Sequence, residues 1–125
     1  FNRGEDVNIE QCPFLADESN VIKIKAAKDI IIQRIAEPPS LIDLSSEIDL
    51  SLKKLKEGFK QIYGTTVYGF LFDYKMELAR KLLESGTHNV NEVGLKVGYS
   101  TASHFIAAFK KQYGTTPKKY IQSSN

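Results

Sequence analysis

Four lysines, Lys53, Lys54, Lys56 and Lys60, crowd into one short stretch with Glu57 among them. If Leu55 and Phe59 are the inward residues of a helix, then Lys53, Lys56, Glu57 and Lys60 point outward and Lys54 lies at the flank. Ammonium groups gathered in this way suit phosphate. Lysine can also donate to guanine O6 and N7, and a glutamate can accept from cytosine N4. A solvated lysine-rich face is the other reading of the same residues. No constellation for bond-making chemistry accompanies them. His88 and His104 belong to no Cys/His/carboxylate cluster with metal-ligand spacing, Cys12 has no local base, and there is no Walker-type loop or GxGxxG run. The expectation is a chain that is not an enzyme and holds no cofactor or metal.

The elements that must position these lysines repeat. Phe59-Lys60-Gln61-Ile62-Tyr63-Gly64-Thr65-Thr66 returns fifty residues later as Phe109-Lys110-Lys111-Gln112-Tyr113-Gly114-Thr115-Thr116, with six of eight positions identical. Upstream, Leu44-Ser45, Ile48, Asp49, Leu50 and Ser51 align at an offset of 49 with Val93-Gly94, Val97, Gly98, Tyr99 and Ser100. The second copy therefore carries one extra residue before Phe105, which matches Leu55. Each copy reads as a short helix, a tight turn and a longer helix. Ser40 caps the first short helix, whose Leu41, Leu44 and Ile48 share a face; Asp49 makes the turn and Ser51 recaps. Leu52, Leu55, Phe59 and Ile62 then face inward, and Gly64 stops the helix. In the second copy Asn89 with Glu92 forms a capping box, Val90, Val93 and Val97 line the core, Gly98 turns and Ser100 recaps. Phe105, Ala108 and Phe109 pack inward before Gly114. Ser45 and Gly94 are small enough for the second helix of each pair to cross closely.

Between the copies, Thr66 caps a helix running from Val67 to Ser85, stopped by Gly86, with Val67, Phe70, Leu71, Tyr74, Leu78 and Leu82 as its stripe. Its 19 residues span about 28 Å, against the roughly 34 Å between successive major grooves on one face of DNA. A first helix is expected over Val21–Ala36, with Val21, Ile24, Ala27, Ile31 and Ile35 inward and Pro38-Pro39 ending it. Thr116-Pro117 opens a last helix through Ile121. The expected architecture is all-α: seven helices, two helix-turn-helix subdomains joined by a long central helix. Residues 1–17 read as a linker and 18–125 as the domain, divided into 18–66, a connecting 67–86, and 87–125.

The second reading helix is chemically different. Its outward set is Ala102, Ser103, Ile106, Ala107 and Lys110, with Thr101 and His104 beside them. Alanine and isoleucine suit thymine methyls, Ser and Thr suit phosphate or either kind of base, and His104 suits a phosphate. A protein partner is the alternative for this apolar surface. Lys110, Lys111, Lys118 and Lys119 read as backbone clamps or solubilising charge.

Overall charge is +2, but residues 1–50 carry 5 Lys/Arg against 10 Asp/Glu while residues 51–125 carry 12 against 5. The basic part is the one that holds the repeat, which favours a polyanionic partner. A length of 125 residues allows one compact domain or two very small ones. No apolar run approaches the roughly 20 residues of a membrane span, and no signal peptide is evident. A single cysteine excludes an internal disulfide framework and suits a reducing compartment, so the expected location is cytoplasmic, away from membranes. The first residue is Phe1, as expected of a fragment of a longer chain.

The stretch Leu41 to Ile121 resembles the double helix-turn-helix DNA-binding domain of AraC/XylS-type bacterial transcription regulators. The signature is Val93-Gly94-Leu95-Lys96-Val97-Gly98-Tyr99-Ser100, followed by Ser103-His104-Phe105, Phe109-Lys110-Lys111, Gly114 and Pro117. Leu52 through Phe59, Gly64-Thr65-Thr66-Val67 and Ser103 through Phe109 are similar to the siderophore-sensing regulators of the ferripyochelin type. The resemblance implies sequence-specific binding of double-stranded promoter DNA through two adjacent major grooves. It also implies contact with RNA polymerase and an effector and dimerisation domain N-terminal to this chain, responsive to iron or siderophore. Family base-contact positions fall on Lys53, Lys56, Glu57, Ala102, Ser103 and Ala107. Many members have Arg where this chain has Ala107, Gly where it has Asp49, and Ala where it has Ser45. Lys53, Lys56 and Glu57 are the expected base readers; Ser51, Lys54, Lys60, Ser100, Thr101, Lys110 and Lys111 are expected on the backbone. The competing expectation is a helical protein-interaction module with no nucleic-acid role.

Overall fold

The computed structural model describes residues 17–124. The linker expected over residues 1–17 lies outside them apart from Asp17, and so does Cys12. Seven helices follow in order: α1 Glu18–Gln33, α2 Leu41–Glu47, α3 Leu52–Tyr63, α4 Val67–Ser85, α5 Val90–Lys96, α6 Ala102–Tyr113 and α7 Pro117–Ser124. There is no strand among the described residues, so the protein is all-α with the helix count its sequence suggests.

Side-chain caps fix most of the boundaries, each satisfying an amide at a helix start that has no partner within the helix. Ser40 Oγ accepts from the Asp43 amide at 3.1 Å, Ser51 Oγ from Lys54 at 3.2 Å and Thr66 Oγ1 from Gly69 at 2.9 Å. Asn89 and Glu92 form a reciprocal capping box at 2.8 and 2.9 Å. Thr116 Oγ1 accepts from Lys119 at 3.3 Å, with Pro117 in the first helical position, where its missing N–H costs nothing. Helix α1 departs from expectation at both ends. Asp17 caps it through the Ser19 amide at 2.9 Å, so the helix starts at Glu18, three residues before the apolar periodicity begins, and it ends at Gln33 rather than Ala36. Val21 and Ile35, expected inward, are only half-buried, while Ile24, Ala27 and Ile31 are fully so.

The chain forms two compact units. Among the described residues, one comprises those through Arg34 together with Pro38–Leu71; the other comprises Ile35–Glu37 and those from Phe72 onward. The first is built on Ile24, Ala27, Ile31, Leu44, Ile48, Leu55, Phe59 and Val67, with Phe70 and Leu71 packed against them. The second is built on Met76, Ala79, Leu83, Val93, Val97, Phe105 and Phe109. Helix α4 contributes to both in succession. The single stripe expected along it is therefore corrected: Tyr74 is exposed, Leu78 and Leu82 are half-buried, and Met76, Ala79 and Leu83 carry the burial in its second part.

Each core is braced by aromatic rings in tilted or edge-on contact, the arrangement that ring quadrupoles favour. Phe59 meets Tyr63 at 4.8 Å and Phe70 at 5.6 Å between centroids in the first unit. In the second, Phe109 meets Tyr113 at 4.7 Å and Tyr120 at 5.7 Å. The repeated Phe-x₃-Tyr spacing of α3 and α6 is thus a repeated packing device.

Candidate nucleic-acid interface

In each unit a short helix and a longer one meet through a turn of the same construction. In the first, the Leu50 amide donates to the Ser45 carbonyl at 3.0 Å; in the second, the Tyr99 amide donates to Gly94 at 2.9 Å. The residue before each donor has positive φ, 55° at Asp49 and 100° at Gly98. Crossing is close at the small residues. A Cβ placed on Gly94 would stand 3.1 Å from the Cβ and Cγ of Phe105, which is fully buried. Ser45 is buried as well, and its hydroxyl donates to the Ile42 carbonyl at 2.8 Å, within its own helix.

These turns correct the assignment of Ser100. The cap of α6 is Thr101, whose Oγ1 accepts from the His104 amide at 3.2 Å. The two copies stay in step at an offset of 49 through Leu50 and Tyr99, and at an offset of 50 from Ser51 and Thr101 onward. Ser100 is therefore the inserted residue, exposed in the turn. Composition alone did not distinguish the two hydroxyls, because either can cap.

Helix α3 presents its charge as expected. Lys53, Lys54, Lys56, Glu57 and Lys60 are all exposed, as is the cap Ser51, while Leu55, Gly58 and Phe59 are buried. Among the described residues no carboxylate pairs with any of these four lysines; the ion pairs there are Lys23–Asp49, Arg34–Glu47, and Arg80 with Glu77 and Glu84. Uncompensated ammonium groups on one short helix make a local positive field.

Helix α6 differs. Thr101, Ser103, His104, Ala107 and Lys110 are exposed, but Ala102 and Ile106 are half-buried. The apolar surface expected there is thus smaller than the sequence suggested. Lys110 and Lys111 are exposed, and the Lys111 ammonium lies 6.0 Å from the centre of the Phe72 ring, a cation–π distance. His88 lies in the connection between α4 and α5, its Nδ1 2.8 Å from Thr87 Oγ1. Among the described residues no group of His, Cys and carboxylates is placed to hold a metal, and no helix is long and apolar enough to cross a membrane.

One cluster was not singled out from sequence. Arg80 on α4 reaches Glu77 and, at 2.8 Å, Glu84, whose carboxylate also accepts from the Tyr120 hydroxyl of α7. The 3- and 4-residue spacings of Glu77, Arg80 and Glu84 were its signal. These bonds hold the carboxyls below the usual range, Glu77 chiefly through Arg80 and Glu84 chiefly through Tyr120.

Comparison with known proteins agrees with this geometry. A family model described as a helix-turn-helix domain matches residues 44–123. The xylose operon regulatory protein of Escherichia coli (strain K12) is 31% identical over 118 residues, covering 94% of this chain and 28% of that protein. Regulatory protein PchR of Pseudomonas aeruginosa is 40% identical over 90 residues, covering 72% of this chain and 30% of the relative. The chain thus spans less than a third of the length of these curated relatives. A transcriptional regulator from Chromobacterium violaceum, described among AraC-type DNA-binding domain-containing proteins, has a crystal structure similar to this one. It superposes with a TM-score of 0.72 at 25% identity, over 82% of this chain and 92% of that one. The family match takes in the first helix-turn-helix pair from Leu44 onward, the connecting helix and the second pair, and the chain belongs to the AraC/XylS family of helix-turn-helix domains.

Proposed function

We propose that this chain is the DNA-reading part of a bacterial transcription regulator, binding double-stranded promoter DNA sequence-specifically with α3 in one major groove and α6 in the next. The observation that carries this reading is the exposed face of α3, with four lysines and no carboxylate partner among the described residues, on a helix-turn-helix frame that the second unit repeats. Lys53, Lys56 and Glu57 read base edges, where bidentate or paired contacts discriminate by about 1–3 kcal/mol. Ser51, Lys54, Lys60, Ser100, Thr101, Lys110 and Lys111 hold the backbone. Ala102, Ser103 and Ala107 meet bases mainly by apolar and hydroxyl contact, and His104 meets a phosphate.

The likeness of α3 and α6 to siderophore-sensing regulators, together with 40% identity to PchR, supports a finer reading. Binding then answers to a ferric siderophore through an effector and dimerisation domain N-terminal to these residues, and the bound protein contacts RNA polymerase. A cytoplasmic location follows from that role.

Selection of duplexes from a random pool, followed by footprinting, tests the main reading. The expected result is an enriched motif with two protected stretches about one helical turn apart. No enrichment, with binding indifferent to salt, overturns it in favour of a helical protein-interaction module.

A further inference from the structure

The first unit has a cleft of about 290 Å³ lined by Leu41 of α2, Lys56 of α3, and Thr66, Val67 and Tyr68 at the start of α4. It falls just below the ~300–1,000 Å³ typical of small-molecule sites. Tyr68 is 62% exposed, an unusual setting for so large a ring on the first turn of a helix whose neighbour Val67 is in the core. Lys56 belongs both to this cleft and to the lysine face of α3, so the cleft continues the surface proposed to meet DNA.

The internal repeat indicates what passes through it. In the second unit Ile106 stands where Lys56 stands in the first, and Lys118 stands where Tyr68 stands. The cation has moved from the reading helix to the first turn of the helix that follows, and the bulky apolar group has moved the other way. Each copy keeps one lysine and one large side chain at these two positions. An internal salt bridge does not explain this exchange, since Lys56 and Lys118 are both exposed and neither is paired with a described carboxylate. A polyanion running past both positions does.

We infer that the cleft seats the sugar-phosphate backbone of the DNA strand beside the groove read by α3, with Tyr68 as its wall: the ring lies against a deoxyribose and the phenol donates to a phosphate oxygen. This inference rests on the DNA-binding reading above. Lys56 then ties the backbone seat to base reading, and Lys118 is the corresponding backbone contact of the second unit.

The experiment compares the wild-type chain with Tyr68→Ala, Tyr68→Phe and Tyr68→Lys, using a duplex recovered by selection and a mixed-sequence duplex across a salt series. Circular dichroism checks that each variant is folded, which the exposure of Tyr68 favours. Tyr68→Ala is expected to weaken both duplexes by the same factor, about fivefold for one hydrogen bond and its ring contact. Tyr68→Phe should fall between it and wild type. Tyr68→Lys should restore affinity and steepen the salt dependence by about one phosphate contact. Wild-type affinity and salt slope in all three variants, while Lys110→Ala still weakens binding, would overturn the cleft and leave the DNA reading intact. A loss confined to the selected duplex would also overturn it, by making Tyr68 a base contact. Failure of the wild-type chain to bind either duplex removes both readings together.

Discussion

The ammonium of Lys23 on α1 donates to the main-chain carbonyl of Asp49 across 2.9 Å. Asp49 is the one non-glycine with positive φ among the described residues, and it occupies the turn between α2 and α3. Its carboxylate lies 3.9 Å from the same nitrogen but is almost wholly exposed, so that ion pair adds little. A side chain from outside the helix-turn-helix therefore holds the turn by its backbone. Lys23→Met should lower stability by about 1 kcal/mol, whereas Asp49→Asn, which tolerates the left-handed region, should change it by less than about 0.5 kcal/mol. Urea-melt midpoints decide the matter; equal losses from the two variants would make the carboxylate the true partner.

Gly98 and Gly114 both have positive φ, yet they should respond differently to alanine. A Cβ on Gly98 would lie 2.6 Å from the Ala36 carbonyl oxygen, while at Gly114 nothing stands within 4 Å. Gly114→Ala should cost only the left-handed strain, about 1–2 kcal/mol. Gly98→Ala should cost about 3 kcal/mol or more, since backbone must also shift. Thermal denaturation of the two variants side by side measures the difference, and similar losses would mean that Ala36 yields freely.

For DNA, Lys56→Ala is expected to change base preference in one half of the selected site. Lys110→Ala should weaken all sequences alike and reduce the salt slope by about one. Base changes in the half-site read by α3 should also be tolerated less well than those read by α6, whose exposed face offers few hydrogen-bond donors to bases. An affinity scan over single-base variants of the selected duplex checks all three expectations; the reverse order between half-sites would count against the assigned roles.

Acid should act through Arg80. Glu77 and Glu84 are held below the usual carboxyl range by bonds from Arg80 and Tyr120, so the folded chain takes up their protons less readily than the unfolded one. Their contribution is present above the unfolded carboxyl value, about 4.3, and is lost as pH falls from there through the lower folded one. Melting temperature should fall in that window for the wild-type chain. Arg80→Met should begin lower at neutral pH and fall less steeply, and parallel curves would show that the cluster does not contribute.

Much of this was legible in the sequence because caps and turns are local chemistry. Ser40, Ser51, Thr66, the Asn89–Glu92 box and Thr116-Pro117 each mark a helix start from a few neighbouring residues, and α4 ran from Val67 to Ser85 as read. The outward lysines of α3 followed from the positions of Leu55 and Phe59. What local pattern did not supply was the choice between adjacent equivalents and the identity of distant neighbours. Ser100 and Thr101 are both able caps, and only the hydrogen bond to His104 separates them. Asp17 precedes a polar first turn, so apolar spacing placed the start of α1 too late. The stripe on α4 assumed one neighbour along its length, where the helix serves two cores in turn.

That shared helix has a consequence for dissecting the molecule. Only Val67 to Leu71 of α4 belong with the first core, a segment far too short to stay helical alone, since isolated helices under about 12–15 residues are marginal in water. Cutting the gene at the midpoint of its repeat would therefore produce a front half with a frayed edge and a back half whose longest rod begins in mid-air. A surgeon looking for a natural seam between the duplicates finds continuous main-chain hydrogen bonding instead, and any truncation meant to isolate one reading head must carry the whole rod with it.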